Sequence, residues 1–135
     1  GADAALDPLA IDPVQQILAD TGGRGVDVAI DCAAKGDTTN QCLHAVRNAG
    51  RVVLTGIHAG SYFALDFSPM RRKEITFFNV RRSNRESETA LELLRQQRAR
   101  FAPLLTHALP LDQIQRGFSL LERYEDGMGK LLITL

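Results

Sequence analysis

The chain has 135 residues, of which 44% are hydrophobic and 24% charged, a composition typical of one globular domain and unlike that of a disordered chain. Sixteen basic residues balance sixteen acidic ones, so no overall positive charge favours nucleic acid or an anionic membrane. No apolar run approaches the roughly 18 to 20 residues that span a bilayer, and the first residues lack the regions of a signal peptide. We therefore expect a soluble, cytoplasmic protein.

The first predicted elements are a short helix and a strand. Asp12-Pro13 is typical of a helix start, because aspartate caps free backbone N–H groups and proline already has the helical φ. Apolar residues then recur at helical spacing as far as Gly22. Residues 26–33 form a largely apolar run, which predicts a strand covered on both faces, as in parallel sheets.

The middle of the chain predicts a second helix and two more strands. The helix begins at Asp37 or Thr38 and ends at Gly50, which we expect in the left-handed conformation that glycine enters at low cost. Residues 51–57 and 75–80 then read as strands. Between them, we expect an extended, edge-type segment from Tyr62 to Phe67, which could pair with a second copy of the chain and form a homo-oligomer.

The last third of the chain predicts two helices and a strand. One helix covers about 86–98, the other carries apolar residues on one face and stops near Gly127, and the strand covers 131–135. Strands that alternate with helices favour a parallel α/β sheet with right-handed crossovers. The sheet is small, and its first strand lacks a neighbour on one side. We therefore expect the chain to be a piece of a longer protein.

The residues by themselves offer no self-contained active site. The glycines at 22, 23 and 25 follow a helix and precede a strand, the reverse of the order in a dinucleotide-binding loop, so they predict a turn. The histidines and cysteines have no zinc-ligand spacing, and Cys32 and Cys42 read as reduced packing residues. His58 directly follows the second strand, at the edge where α/β proteins bind ligands, and so remains a candidate site residue.

Several segments, taken in order, resemble the C-terminal half of medium-chain zinc-dependent alcohol dehydrogenases. The segments that carry this resemblance are 24–31, 49–56, 103–107, 111–114, 117–118 and 129–130. The segment 79–84, with the sequence NVRRSN, looks like the post-strand segment of polyol dehydrogenases of the sorbitol and xylitol type. The resemblance covers nearly the whole chain.

The resemblance implies an incomplete Rossmann-like parallel sheet, the second half of a doubly wound dinucleotide-binding domain, with a C-terminal helix-strand segment. Residues 26–33, 51–57 and 75–80 would be the fourth, fifth and sixth strands of that domain. Residues 1–100 would be the C-terminal half of an NAD(P)-binding domain, and 101–135 a segment that returns to an absent catalytic domain. The glycine-rich half and the zinc ligands would lie outside this chain.

The resemblance also implies a set of site residues. Positions similar to those that line the nicotinamide half of the cofactor are Cys32, Ala33, Ala34, Thr55, Gly56 and Ile57. Asn79, Val80 and Arg81 resemble the segment whose backbone holds the carboxamide. Lys130 looks like the basic residue that approaches the pyrophosphate, and Arg82 is similar to a polyol-enzyme residue near the substrate. No residue of this chain is implied to be catalytic or to bind a metal.

The expected parent therefore transfers hydride between an alcohol or polyol and NAD or NADP, with zinc in the full-length parent only. The chain alone is expected to be inactive. Two alternatives remain open at this point. One is a non-catalytic binding or oligomerisation module, and the other is a zinc-independent quinone or enoyl reductase of the same superfamily.

Overall fold

The structure is a computed structural model that describes residues 2–135. The chain divides into two compact units, the first ending at Arg82 and the second covering Ser83–Leu135. Each unit has its own parallel sheet, which confirms the predicted α/β class. Among residues 2–135, no helix combines the length and apolar character that crossing a membrane requires.

The first unit contains three helices and a three-stranded sheet. In chain order these are α1 (Pro13–Asp20), β1 (Val26–Asp31), α2 (Thr38–Ala45), β2 (Val46–Leu54), α3 (Phe67–Arg72) and β3 (Thr76–Asn79). The strands lie in the order β1-β2-β3 and are all parallel. Helix α1 begins as the sequence predicts, because the Asp12 carboxylate accepts hydrogen bonds from the backbone N–H groups of Val14 and Gln15.

The two faces of this sheet differ. The core face is fully buried at Leu43, Val46 and Val52, where α2 and α3 pack against the strands. The opposite face leaves Ile30 57% and Phe78 48% exposed. The strands are therefore covered on one face only, where the sequence predicted cover on both, because α2 and α3 both contribute to the same side.

The predicted end of the second helix at Gly50 is wrong. Helix α2 ends at Ala45, and the chain enters β2 at once. The left-handed residue is Ala49, with φ 53°, whose N–H donates to the Lys73 carbonyl at 2.6 Å. Gly50 is required for space instead, since a Cβ there would lie 2.9 Å from the Arg47 carbonyl oxygen.

The predicted edge-type segment from Tyr62 to Phe67 forms no strand. Helix α3 begins at Phe67, and residues 61–66 are irregular. The cause is Asn40, whose side-chain amide donates to the Ala64 carbonyl at 3.2 Å and accepts from the Asp66 N–H at 2.9 Å. These backbone groups are thereby held against α2. Association through this segment stays a prediction.

The second unit is built around a two-stranded parallel sheet. Its elements are α4 (Ser87–Gln96), α5 (Arg98–Phe101), β4 (Leu105–Pro110), α6 (Ile114–Arg123) and β5 (Lys130–Thr134). Strand β4 was not predicted, and it pairs with β5. Gly117 is buried on α6, where a Cβ would meet the side chain of Leu131, so a larger residue there requires the Leu131 side chain to move. The boundary expected between residues 100 and 101 concerns the parent's domains and stays a prediction.

Candidate functional site

The candidate site lies at the carboxyl ends of the three strands in the first unit. Asp31, the last residue of β1, pairs with Leu54, the last residue of β2, and Leu54 pairs with Asn79, the last residue of β3. The strands therefore end level with one another. In open α/β sheets this edge is where ligands bind.

The carboxylate of Asp31 organises this edge. The residue is only 3% exposed, and its side chain accepts hydrogen bonds from the N–H groups of Ala33 at 3.1 Å and Ala34 at 2.9 Å. The hydroxyl of Thr39 donates to it at 2.6 Å and that of Thr38 at 3.1 Å. Each of these partners can only donate to a carboxylate, so they all favour the ionised form.

The protonation state of Asp31 follows from two opposed effects. Burial disfavours the charged form and raises the pKa of the carboxyl, whereas the hydrogen bonds from Thr39, Ala34, Thr38 and Ala33 lower it. The hydrogen bonds outweigh burial, so the pKa lies below the ordinary value for aspartate. Asp31 is therefore a carboxylate at neutral pH.

The backbone carbonyl of Asp31 holds the end of the neighbouring strand. It accepts from the N–H of Thr55 at 3.0 Å, from the N–H of Gly56 at 2.9 Å and from the Thr55 hydroxyl at 3.0 Å. Gly56 packs so closely that a Cβ there would lie 2.7 Å from the Cβ of Ala34. Asp31 thus brings Ala33 and Ala34 together with Thr55 and Gly56.

Sequence reasoning did not single out Asp31 as a site residue. The available signal was an acidic residue at the carboxyl end of a largely apolar strand, followed by two threonines at the start of the next helix. An ionisable group in that position needs several donors to be buried. Those donors are the turn after β1 and the first residues of α2.

The surface beside Asp31 and its hydrogen-bond partners is open and largely apolar. Cys32, Ala33 and Ile57 are exposed, while Ala34 is buried in a left-handed conformation with φ 48°. Cys32 and Ala33 also line a cavity of about 370 Å³ between α1, β1 and α2. Burial, with the nearby Asp31 charge, raises the pKa of the Cys42 thiol in this cavity to about 11, so it stays neutral.

His58 contacts Thr39, one of the hydrogen-bond partners of Asp31. Its Nε2 atom lies 3.1 Å from the Thr39 hydroxyl oxygen, and its ring stacks on Phe63 with centroids 4.1 Å apart and planes 10° apart. The imidazole is therefore fixed both by a hydrogen bond and by an aromatic face. The sequence placed His58 at this edge without revealing either contact.

The end of β3 brings further predicted residues to the same edge. The N–H of Val80 donates to the Leu54 carbonyl at 3.0 Å, so Asn79 and Val80 continue alongside the end of β2. Arg81 and Arg82 follow and are exposed, and Arg82 has φ 52°. Within the described residues, neither arginine forms an ion pair.

Lys130 lies in the second unit. It begins β5, and its carbonyl accepts from the Thr106 hydroxyl at 3.3 Å. Together with Arg95 and Arg98 it lines a cavity of about 700 Å³ whose other walls are mostly apolar. The predicted role of Lys130 toward a pyrophosphate stays a prediction.

The described residues offer no zinc site. Across residues 2–135, no group of three or more His, Cys, Asp or Glu side chains could hold a metal ion. A protein zinc site needs three or four such ligands.

Comparisons with known proteins place these observations in context. A family model described as zinc-binding dehydrogenase matches residues 1–96. The L-threonine 3-dehydrogenase of Symbiobacterium thermophilum is 31% identical over 131 residues, which are 94% of this chain and 37% of that protein. The L-idonate 5-dehydrogenase of Vitis vinifera is 32% identical over 66% of this chain and 24% of its own length.

Solved structures show the same partial likeness. An alcohol dehydrogenase from Thermus sp. ATN1 matches with a TM-score of 0.85 and 25% identity, over 96% of this chain and 37% of that one. The 2R,3R-butanediol dehydrogenase of Bacillus subtilis gives a TM-score of 0.84 with the same identity and coverage. The chain thus spans 37% of the length of these proteins. The predicted fold, the second half of a Rossmann-like domain, is confirmed.

Proposed function

This chain belongs to the zinc-binding dehydrogenase family, and we propose that it supplies the nicotinamide-facing edge of a longer oxidoreductase. The parent transfers hydride between an alcohol or polyol and NAD or NADP, with zinc bound outside this chain. The names of its relatives support the general class. The observation that carries the proposal is the way Asp31 joins the ends of β1 and β2 at one open edge.

The exposed part of this edge suits one face of a nicotinamide ring. A flat ring requires small or apolar side chains beside the strand ends, and Cys32, Ala33 and Ile57 provide them. Backbone groups of the segment from Asn79 through Val80 to Arg81 are the proposed partners of the carboxamide. Hydride transfer is the cofactor's own chemistry, whereas the protein orients the ring and its surroundings.

Two basic residues have separate proposed roles in the parent. Arg82 follows the carboxamide segment and is exposed, so its guanidinium can donate hydrogen bonds to hydroxyl oxygens of a polyol. Lys130 is proposed to neutralise the pyrophosphate, for which an exposed ammonium group is suited.

The chain alone is proposed to be inactive. Its sequence contains no G-x-G-x-x-G loop, so the backbone cradle that usually holds the pyrophosphate of a dinucleotide is not available from these residues. We expect at best millimolar affinity for NAD, equivalent to about 4 kcal/mol. Calorimetry that finds micromolar NAD binding to the 135-residue chain would contradict this part of the proposal.

The test is an NMR titration of the ¹⁵N-labelled chain with nicotinamide mononucleotide. We expect amide shifts at the residues proposed to face the nicotinamide half of the cofactor, which are Cys32, Ala33, Ala34, Thr55, Gly56, Ile57, Asn79, Val80 and Arg81. Adenosine monophosphate at the same concentration is the matched ligand control and should leave these amides in place. Saturating shifts confined to other residues, or none at all, would reject the proposed edge.

A pair of variants sharpens that titration. Ala33→Leu places a larger side chain where the ring is proposed to lie and should weaken nicotinamide mononucleotide binding several-fold. Ala99→Leu makes the same change at an exposed position of α5 and should leave binding unchanged. Equal affinities of the two variants would count against the proposed position of the ring.

Self-association is a further part of the proposal. Tyr62 and Phe67 remain 96% and 63% exposed, and apolar side chains in that state favour contact with a second copy of the chain. Light scattering should therefore report a species larger than the monomer, reduced in a Tyr62→Ser, Phe67→Ser double variant. A strictly monomeric wild-type chain would refute it.

A further inference from the structure

A hydrogen-bonded chain links a buried carboxylate to an imidazole at the candidate site. The Thr39 hydroxyl oxygen lies 2.6 Å from Asp31 Oδ2 and 3.1 Å from His58 Nε2. Thr39 is only 1% exposed and Asp31 only 3%, so bulk water does not compete for the hydrogen bond between them. The link connects α2 with the loop that follows β2.

The number of available protons fixes the direction of both hydrogen bonds, the one between Thr39 and Asp31 and the one between Thr39 and His58. Asp31 is ionised, because the donors around it hold its pKa below the ordinary value despite burial, and a carboxylate only accepts. The single hydroxyl proton of Thr39 is therefore donated to Asp31. Thr39 must then accept from His58, so Nε2 carries a proton and a neutral His58 has its lone pair on Nδ1.

The surroundings of the imidazole leave that lone pair available. One face of the ring is covered by Phe63, and Nε2 is committed to Thr39. Among the hydrogen bonds of the described residues, none involves Nδ1 of His58. His58 also directly follows Thr55, Gly56 and Ile57, the strand end that the Asp31 carbonyl holds in place.

We propose that Asp31, acting through Thr39, fixes His58 as the Nε2–H tautomer and so presents Nδ1 as a hydrogen-bond acceptor at this edge. The group that donates to Nδ1 of His58 is an N–H or O–H on the nicotinamide mononucleotide half of the cofactor, so the inference rests on the proposed function. Asp31 and Thr39 are positioning residues, and His58 is the residue that touches the ligand. A neutral imidazole could adopt either tautomer in water, and the buried carboxylate removes that freedom.

The first experiment reads the tautomer directly in the ligand-free chain. Long-range ¹H–¹⁵N spectra, recorded above the pH range in which imidazole titrates, distinguish a protonated Nε2 from a protonated Nδ1. We expect His58 to be almost entirely Nε2–H in the wild type. A dominant Nδ1–H form would overturn the inference, whatever the ligand experiments show.

Variants at Thr39 test whether the buried link causes that preference. Thr39→Val keeps the shape of the side chain but removes the hydroxyl, so His58 should become a mixture of tautomers. Thr39→Ser restores the hydroxyl and should restore the wild-type spectrum, a rescue that packing alone would not give. If the tautomer is unchanged in a folded Thr39→Val variant, Asp31 does not control it and the inference fails.

The second experiment measures binding of nicotinamide mononucleotide at millimolar concentrations. His58→Phe retains a ring that can stack on Phe63 but has no acceptor, and should weaken binding about three- to tenfold, the worth of one hydrogen bond. The matched control is His44→Phe, which alters an exposed histidine paired with Asp66 and should leave binding unchanged. Equal affinity of wild type and His58→Phe would overturn the ligand contact alone.

A cofactor analogue identifies the donor to His58. It also distinguishes a failure of the His58 contact from a failure of the proposed function. The acetylpyridine mononucleotide lacks the carboxamide N–H. If the His58→Phe loss disappears with this analogue, the carboxamide is the donor, and if it persists, a sugar hydroxyl is. Failure of the wild-type chain to bind either mononucleotide would instead reject the proposed function, and with it the ligand contact.

Discussion

Strand β1 carries an aspartate near each end, and the two differ in what surrounds them. Asp31 at the carboxyl end is buried and accepts from backbone N–H groups and threonine hydroxyls. Asp27 at the amino end has a side chain that is 54% exposed and pairs with Arg24 and Arg47, each at 2.6 Å. Both carboxyls have lowered pKa values, so a lowered pKa alone does not tell how much either residue contributes.

The difference lies in what water can replace. If Asp27 is removed, water can solvate both guanidinium groups, and the cost is small. If Asp31 is removed, the buried donors Ala34 and Thr39 lose their acceptor inside the protein, and water cannot easily reach them. Asp31 is therefore expected to stabilise the carboxyl edge of the sheet more than Asp27 stabilises the amino edge.

The largest expected effect is that of Asp31→Ala. We expect it to lower the free energy of unfolding by about 3 kcal/mol, because the buried Thr39 hydroxyl and Ala34 N–H lose their partner at once, and the partly buried hydrogen bonds from Ala33 and Thr38 are lost with them. Urea unfolding of the two proteins at neutral pH measures this. A change below the error of the measurement would show that water or a neighbouring group replaces the carboxylate.

The loss of stability in Asp31→Ala is expected to depend on pH. The folded-state pKa of Asp31 is lowered, so its contribution is fully present above the ordinary aspartate pKa and is lost as the pH falls through the lowered value. The stability difference between wild type and Asp31→Ala should therefore shrink in acid. A difference that grows as the pH falls would contradict the assignment of Asp31 as a carboxylate.

Gly56→Ala tests the packing that Asp31 imposes on the same edge. The new Cβ would lie 2.7 Å from the Ala34 Cβ and 2.8 Å from the Ala34 nitrogen, which the backbone must move to accommodate. Overpacking of this kind costs about 2 kcal/mol. The matched control is Gly60→Ala, where the nearest atom would be 3.4 Å away, and its melting temperature should barely change. Equal melting temperatures for both variants would refute the close approach.

The sequence predicts the first unit well where the signal is local. Helix α1 follows from Asp12-Pro13, and the three strands follow from short apolar runs bounded by glycines or polar residues. The position of Gly50 was misread because a glycine after a helical pattern usually marks its end. Here the glycine is needed for close backbone approach inside β2, which depends on contacts that periodicity cannot show.

The parts that could not be predicted depend on distant partners. Asp31 draws donors from a threonine eight residues away, and its carbonyl holds Thr55, 24 residues away. Strand β4, with the sequence LTHALP, has only weak alternation and ends in proline, so it forms because β5 pairs with it. The edge of the sheet was predicted, but the residue that organises it was not.

At the amino end of the sheet, Lys73 is expected to have an intermediate effect. Its ammonium group donates to the carbonyls of Leu43, His44 and Val46 at 3.1, 2.7 and 2.8 Å, where α2 ends and β2 begins. Lys73→Met should cost about 1.5 kcal/mol, because these carbonyls lose a charged donor. Lys35→Met, at an exposed position, should be neutral in the same urea experiment. A Lys73 variant as stable as wild type would show that water caps the helix equally well.

The smallest expected effect on the free energy of unfolding is that of Asp27→Asn. Its dependence on salt distinguishes Asp27 from Asp31 at the other end of β1. Hydrogen bonds from Arg24 and Arg47 hold the pKa of Asp27 at about 2, against an ordinary value of 3.8, so any contribution is present above the ordinary value and disappears as the pH falls through the lowered one. Because the group is exposed, salt should screen that contribution away at about 1 M, where the Debye length is about 3 Å. Asp3→Asn, at an exposed position, is the control for the general loss of a negative charge.

The loss of stability in Asp31→Ala, in contrast, should persist at high salt, because hydrogen bonds in a buried site are not screened. If both defects faded equally with salt, the buried hydrogen bonds would not be what distinguishes the two ends of the strand.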